Sequence, residues 1–137
     1  MLKYNQRGNY AIGAGPVAVC ANREDVVRFL LDMKKTLSQK DSLQLVQRKT
    51  NLQTLTSLGY TVDDVKMILF NLGVTDYSSG PEPDDNPNYS GDVWVFGATI
   101  DTIDLYIKLK LINCGQKQVL CLSFHHAKWP LNYPFKE

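Results

Sequence analysis

Cysteine is scarce in this chain, and the three present are poorly placed for covalent or metal chemistry. Cys20, Cys114 and Cys121 form no CxxC pair and are odd in number, so the sequence indicates neither a disulfide framework nor a zinc knuckle. The two histidines, His125 and His126, are adjacent, and neighbouring residues of a strand point to opposite faces. We therefore expect no metal site, no cofactor and a reducing, cytoplasmic location.

Surplus charge is also absent, since 15 lysines and arginines stand against 14 aspartates and glutamates and leave a formal net charge of +1. A strong positive field that would attract nucleic acid at long range is thereby excluded, and any basic site must be local. The apolar stretch at residues 10–21 is short and is broken by Gly13, Gly15 and Pro16. We expect no export signal and no membrane partner, and we interpret residues 1–22 as a poorly ordered N-terminal extension.

The rest of the chain, residues 23–137, is expected to form one domain, because 137 residues are too few for two ordinary domains. Helical spacing predicts a first helix from Arg23 to about Lys35. Its predicted buried residues are Val26, Val27, Leu30 and Leu31. Two shorter helices are predicted at residues 51–59 and 61–73, the first ending at Gly59 and the second capped by Thr61.

One strand pattern precedes the two shorter helices, and strand patterns dominate the second half of the chain. Residues 42–50 alternate and predict a short strand that ends at Arg48 and Lys49. Residues 77–92 are rich in Pro, Gly, Asp, Asn and Ser, and predict a surface loop. Three further strands are expected at residues 92–97, 102–113 and 117–126. Helices followed by strands predict an α+β domain, with an antiparallel sheet packed on one face against the N-terminal helices.

Alternation along the last two strands predicts which side chains share a face. The apolar set that should face the core consists of Leu105, Ile107, Leu109, Leu111, Leu120, Leu122 and Phe124. The opposite face should then carry Tyr106, Lys108, Lys110, Cys121, Ser123 and His125. A two-residue loop at Gly115 and Gln116 would pair Cys114 with Lys117. Counting back from that loop pairs Lys110 with Cys121, Lys108 with Ser123, and Tyr106 with His125.

Tyrosine, lysine, serine and histidine on one exposed sheet face suit metal-free cleavage of RNA. Histidine can take the 2′-OH proton or protonate the leaving 5′-oxygen, lysine can hold the phosphate, and tyrosine can donate a proton or stack on a base. A solvated strand pair without function shows the same residue types, so this alternative stays open. His126 comes two residues after Phe124, so strand alternation places it on the same, apolar face. We therefore expect it to be partly buried and structural.

Several segments together resemble a known family. They are "RKTNLQTLTSLGYTVDDVKMILFNLGVTDY", the "SGP" segment, "VWVFG", "LYIKLKL" and "CLSFHHAKWPLNYPF". From about Glu24 to the C-terminus the chain resembles the MqsR family of bacterial type II toxins, especially a subgroup whose C-terminus has SFHPA followed by PLxYPF. The resemblance implies a RelE-like α+β fold, cleavage of mRNA, free or on ribosomes, and a cognate antitoxin protein.

The resemblance also implies roles for individual residues. Tyr106 and Lys108 fall on the tyrosine and lysine of the family's "VYLK" motif, and His125 falls where the best-studied branch has a lysine after "SF". We therefore predict His125, Tyr106 and Lys108 as catalytic residues. The predicted RNA-binding residues are Arg48, Lys49, Lys110 and Ser123.

Two positions depart from the family pattern. Ser79 falls where that branch has a catalytic lysine, and Val95 falls where it has a glutamine after the tryptophan, here Trp94. Neither replacement preserves the chemistry, so Arg48 or Lys49 must supply the missing cation or the branch acts differently. The alternative is a non-catalytic module that binds nucleic acid or protein on the same scaffold.

Overall fold

The computed structural model describes residues 20–86 and 89–137, and the backbone of residues 10–11 and 15–16. Those two short segments, β1 (Tyr10–Ala11) and β2 (Gly15–Pro16), pair antiparallel. Most of the predicted N-terminal extension lies outside the described residues.

Three helices and a five-stranded sheet follow, which confirms the α+β class. The helices are α1 (Arg23–Leu37), α2 (Lys49–Leu58) and α3 (Val62–Phe70). The strands are β3 (Leu43–Leu45), β4 (Tyr77–Pro83), β5 (Asp92–Ile100), β6 (Ile103–Asn113) and β7 (Lys117–His126). Their order in the sheet is β3-β7-β6-β5-β4. The sheet is mixed rather than purely antiparallel, because β3 pairs parallel to β7.

Local capping chemistry sets the helix boundaries. The Asn22 side chain accepts a hydrogen bond from the Asp25 amide at 2.8 Å and so begins α1. Helix α2 ends at Gly59, whose φ of 70° lies in the left-handed region that glycine adopts without steric cost. Helix α3 begins with a capping box between Thr61 and Asp64. The predicted stop at Gly59 and cap at Thr61 are confirmed.

The buried stripe of α1 differs from the predicted one. Val27 is only half-buried and Leu31 is 66% exposed, whereas Phe29 and Met33 are buried. Phe29 stacks on Trp94 of β5 with ring centroids 4.6 Å apart. The helix turns Phe29 rather than Leu31 toward the sheet, because burial of the larger aromatic ring removes more apolar surface from water.

The predicted loop at residues 77–92 is wrong for its first half, which forms the edge strand β4. An edge strand needs hydrogen bonds on one side only, so Pro81 and Pro83 are tolerated there. Two register shifts along β4 also interrupt regular pairing with β5. Buried Tyr77 anchors the strand, with its ring centroid 5.9 Å from that of Phe96.

The hairpin between β6 and β7 departs from prediction twice, and the two departures cancel. Asn113, not Cys114, pairs with Lys117, so the loop has three residues. A β-bulge at Leu122 then adds one residue to β7, between the pairs Leu109–Cys121 and Lys108–Ser123. The predicted pairs Lys108–Ser123 and Tyr106–His125 are therefore confirmed, whereas Lys110 pairs with Leu120 rather than Cys121.

The bulge also corrects the predicted faces of β7. Val119 and Cys121 are fully buried on the face that the helices cover, and burial raises the pKa of the Cys121 thiol to about 12. Leu120 and Leu122 lie on the opposite face of the sheet, called here the outer face. After the bulge the parity reverses, so Phe124 is buried against the helices. His126 is exposed at the end of the strand rather than partly buried.

Candidate functional site

Tyr106 and His125 form the centre of the candidate site on the outer face. Their rings stack across the β6–β7 pair, with centroids 5.4 Å apart and an interplanar angle of 21°. Lys108 and Ser123 form the next pair on the same face, two residues along each strand. The structure thus brings together the three residues predicted as catalytic. Ser123 is only 3% exposed and lies beneath that surface.

A hydrogen bond to the backbone orients the His125 ring. Its Nδ1 atom lies 2.9 Å from the carbonyl oxygen of His126. A carbonyl oxygen can only accept, so Nδ1 carries the proton that forms this bond. In the neutral ring Nε2 is then the nitrogen with a free lone pair. This arrangement presents Nε2 as the atom that can accept a proton from a substrate.

The Tyr106 hydroxyl keeps its proton over a wide pH range. Burial raises its pKa above the ordinary tyrosine value, and the negative charges of Glu82 and Asp85 raise it further. The positive charge of Arg48 acts in the opposite direction but does not cancel the rise. At neutral pH the phenol is therefore a hydrogen-bond and proton donor on the outer face.

Lys108 is held only loosely by protein groups. Its ammonium nitrogen lies 3.7 Å from a carboxylate oxygen of Asp85, whose side chain is 82% exposed. The Lys108 side chain is itself 21% exposed. An ion pair with so exposed a partner contributes at most about 1 kcal/mol, so a phosphate can displace the carboxylate.

Lys110 has a different environment, although it lies on the same face of the same strand. Its ammonium is 2.7 Å from the Asp84 carboxylate, and the two side chains are 4% and 12% exposed. Burial of Asp84 opposes its ionisation, but the bond from Lys110 and the Asn86 amide outweigh this effect and lower the pKa of the carboxyl. Lys110 therefore attaches the segment after β4 to the sheet, and its charge is not presented to solvent.

Of the two basic residues predicted to bind RNA at the start of α2, Arg48 and Lys49, the structure brings only Arg48 to the site. Arg48 is the exposed N-cap residue of α2 and lines the same outer-face cleft as Lys108. Lys49 is the first residue of the helix and lines a separate surface groove with Leu52 and Gln53. Arg48 is thus the better placed of the two for contact with a substrate phosphate.

Ser79 and Val95 occupy the positions where the resemblance expects a lysine and a glutamine. Ser79 pairs with Val95 across β4 and β5, and Val95 pairs with Lys108 across β5 and β6. Ser79, Val95, Lys108 and Ser123 therefore form one row across four strands. The two departures from the family pattern lie inside the candidate site.

Asn51 is a buried residue of the site that sequence reasoning missed. Its side-chain nitrogen donates to the carbonyl oxygens of Val46, at 2.9 Å, and Leu122, at 3.1 Å. Its side-chain oxygen accepts from the Phe124 amide at 3.0 Å. Asn51 thus holds the backbone of β7 at the bulge and two residues after it, directly before His125. An asparagine in the first turn of a helix gives no sequence signal for contacts more than 70 residues away.

The C-terminal segment closes one side of the site. Gly97 of β5 pairs with Tyr106, and a Cβ atom at Gly97 would collide with the Tyr133 hydroxyl and the Leu131 side chain. Burial raises the pKa of the Tyr133 hydroxyl. Absence of a side chain at Gly97 is what allows Leu131 and Tyr133 to lie against the sheet there.

No family model, no curated protein and no solved structure matches this chain. Membership of the MqsR family and a RelE-like fold therefore stay predictions. Among the residues that the structure describes, no helix is long and apolar enough to cross a membrane. Within the same residues, no group of three or more His, Cys, Asp or Glu side chains could hold a metal ion.

Proposed function

We propose that this chain is a metal-independent endoribonuclease, the toxin of a type II toxin–antitoxin pair, which cleaves mRNA by attack of a 2′-OH group. The observation that carries the proposal is the stacked pair of Tyr106 and His125 beside the loosely held Lys108. Together these side chains supply a base, an acid and a cation, which is the set that RNA cleavage requires.

The geometry favours one division of labour between them. The Nε2 atom of His125 removes the proton from the 2′-OH, and the oxygen attacks the adjacent phosphorus. The bond from phosphorus to the 5′-oxygen breaks, and Tyr106 protonates that leaving oxygen. The products are a 2′,3′-cyclic phosphate and a free 5′-OH. Lys108 and Arg48 stabilise the negative charge that builds up on the phosphate.

Arg48 is a second cation beside Lys108. The proposed mechanism needs one, because Ser79 and Val95 stand where the resemblance expects a lysine and a glutamine. Those side chains cannot donate a charged hydrogen bond to the phosphate. Arg48 lines the same cleft as Lys108, and its charge acts on Tyr106. A guanidinium can hold two phosphate oxygens at once, so Arg48 can take the place of a lysine on the neighbouring strand.

The decisive experiment is cleavage of a defined single-stranded RNA in EDTA by the purified protein. We expect fragments that end in 2′,3′-cyclic phosphate from the unaltered protein and none from His125→Ala. The matched control is His126→Ala, which removes the exposed neighbouring ring and should cleave normally. Equal cleavage by a folded His125→Ala protein would refute the assignment of the base.

A non-catalytic RNA-binding module is the second candidate function. It is favoured by Val95, which is 5% exposed and places an apolar side chain beside Lys108. If neither free RNA nor translating ribosomes elicit cleavage, salt-sensitive binding of RNA would support this alternative. Specific binding of a small antitoxin protein would support the toxin instead.

A further inference from the structure

A cleft of about 820 Å³ lies on the outer face beside the candidate site. Its floor includes Leu120 and Leu122 of β7 and Val46 after β3. Arg48 and Lys108 lie at its border, and the segments 84–86 and 89–91 form the facing wall. Its volume is in the range that binds small organic molecules, roughly 300–1,000 Å³.

The bulge in β7 explains why this floor is apolar. Without the bulge, strand alternation would place either Leu120 and Leu122 or Ser123 and His125 on the outer face, but not both sets. The extra residue reverses the parity, so apolar and catalytic side chains follow one another on one surface. The apolar floor is consequently continuous with Lys108 and with the Tyr106–His125 pair.

The charges around the cleft favour an anionic occupant. Buried Lys110 is neutralised by Asp84, and Asp85 holds Lys108 only loosely. Arg48 makes no ion pair with any residue in the described parts of the chain. Two cationic groups are thus available at the border of a floor that is otherwise apolar.

Tyr89 adds an aromatic ring to the wall of the cleft. Its side chain is 63% exposed, and the Lys110 ammonium lies 5.7 Å from the centre of its ring. An exposed ring above an apolar floor is a surface on which a planar heterocycle can stack. A flat apolar group attached to an anion is the chemical description of a nucleotide.

We propose that this cleft binds the nucleotide next to the cleaved one, with its base between Tyr89 and the floor and its phosphate at Arg48 and Lys108. The proposal rests on the proposed function, because it names where part of the RNA substrate lies. It makes Tyr89 and Leu120 the residues that recognise the base. It also explains why a ribonuclease would need an apolar surface beside its catalytic residues.

The test uses 2′-O-methyl RNA oligonucleotides, which cannot be cleaved by 2′-OH attack, and matched oligonucleotides with one base removed at each position in turn. We expect removal of one particular base to weaken binding by about tenfold, as loss of one stacked base does. In Tyr89→Ala and Leu120→Ser the same removal should change binding by less than about twofold. Leu31→Ser, an exposed leucine of α1, is the matched control and should behave like the unaltered protein.

The outcomes separate this proposal from the proposed function. If every abasic oligonucleotide binds as well as the intact one, or if a glutamate-rich peptide occupies the cleft while RNA does not, the proposal is wrong. Cleavage of unmodified RNA is measured in parallel with the same variants. Base-dependent binding without cleavage, either of free RNA or on translating ribosomes, would keep the cleft as a nucleotide-binding site and refute the nuclease. Cleavage without base-dependent binding would refute the cleft proposal and keep the nuclease.

Discussion

The two faces of the sheet are built from the same strands, yet only one of them can be read from strand alternation. The environments on the other face depend on contacts between residues distant in sequence. On the helix-covered face, Leu105, Ile107 and Leu109 follow simple alternation and are fully buried. On the outer face, alternate residues of β6 have unequal environments, because Lys108 is held loosely and Lys110 is buried against Asp84. Apolar burial makes the first face stable, whereas contacts distant in sequence shape the second.

The largest effect is expected from a cavity on the helix-covered face. Phe124→Ala removes a fully buried ring and should lower the free energy of unfolding by about 3–5 kcal/mol. Urea denaturation followed by circular dichroism would measure it. Trp129→Ala is the control, because that ring is 77% exposed and its loss should change stability by less than about 0.5 kcal/mol. Equal losses would mean that burial of the Phe124 ring is not the source of the lost stability.

On the outer face the opposite pattern is expected, with activity lost and stability kept. Tyr106→Phe keeps the ring that stacks on His125 but removes the hydroxyl proton. Cleavage should fall by about a hundredfold or more, the usual loss when a positioned proton donor is removed. The free energy of unfolding should change by less than about 1 kcal/mol. Tyr60→Phe is the matched control, because Tyr60 is a partly buried tyrosine between α2 and α3. Normal cleavage by Tyr106→Phe would show that the Tyr106 hydroxyl has no part in the mechanism.

Asn51 holds the backbone of β7 beside Phe124 of the helix-covered face and His125 of the outer face. Its loss should therefore affect both stability and the candidate site. Asn51→Ala leaves the Leu122 carbonyl and the Phe124 amide without their partner and should cost about 2 kcal/mol of stability. The bulge would then be less well fixed, and the stacked rings of Tyr106 and His125 would lose their register. NMR contacts between those two rings would measure this. Asn71→Ala, at an exposed helix end, should leave the contacts intact.

Local signals predicted part of this molecule well. The helix ends at Gly59 and Thr61 follow from residues a few positions away, and they are confirmed. The pairing of Tyr106 with His125 was predicted correctly only because a longer loop and a bulge cancel. Asn51 hydrogen-bonds the backbone at the bulge and after it, and the sequence around Leu122 contains no sign of that contact.

The strand β4 and the residues after it could not be predicted, because a segment with the composition of a loop forms an edge strand. Glycine, serine and proline at residues 78–83 are typical of loops, yet they form an edge strand that needs few hydrogen bonds. The burial of Lys110 depends on Asp84, which is 26 residues away. Alternation alone therefore indicated an exposed, RNA-binding Lys110, whereas the structure gives it a partner within the protein.

The ion pair of Asp84 makes part of the stability depend on pH. The pKa of Asp84 in the folded protein lies below its ordinary value of 3.8. The ion pair therefore stabilises the fold fully above pH 3.8, and this stabilisation is lost as the pH falls through the lower pKa of the folded state. Asp84→Asn leaves the buried Lys110 ammonium without its charged partner and should lower the free energy of unfolding by about 3 kcal/mol near pH 7. The difference from the unaltered protein should shrink below about pH 4. A difference independent of pH would show that the carboxylate charge is not its cause.

The smallest effect is expected at Asp85, which occupies the place at Lys108 that a phosphate must take. Asp85→Asn removes a weak competitor and should tighten binding of 2′-O-methyl RNA by roughly two- to fivefold at low salt. Asp63→Asn changes the net charge equally, but Asp63 lies on α3, on the other side of the sheet. If both variants bind RNA equally well, the gain reflects total charge and Lys108 is not the phosphate ligand. A gain for Asp85→Asn alone, reduced by added salt, would place the phosphate at Lys108.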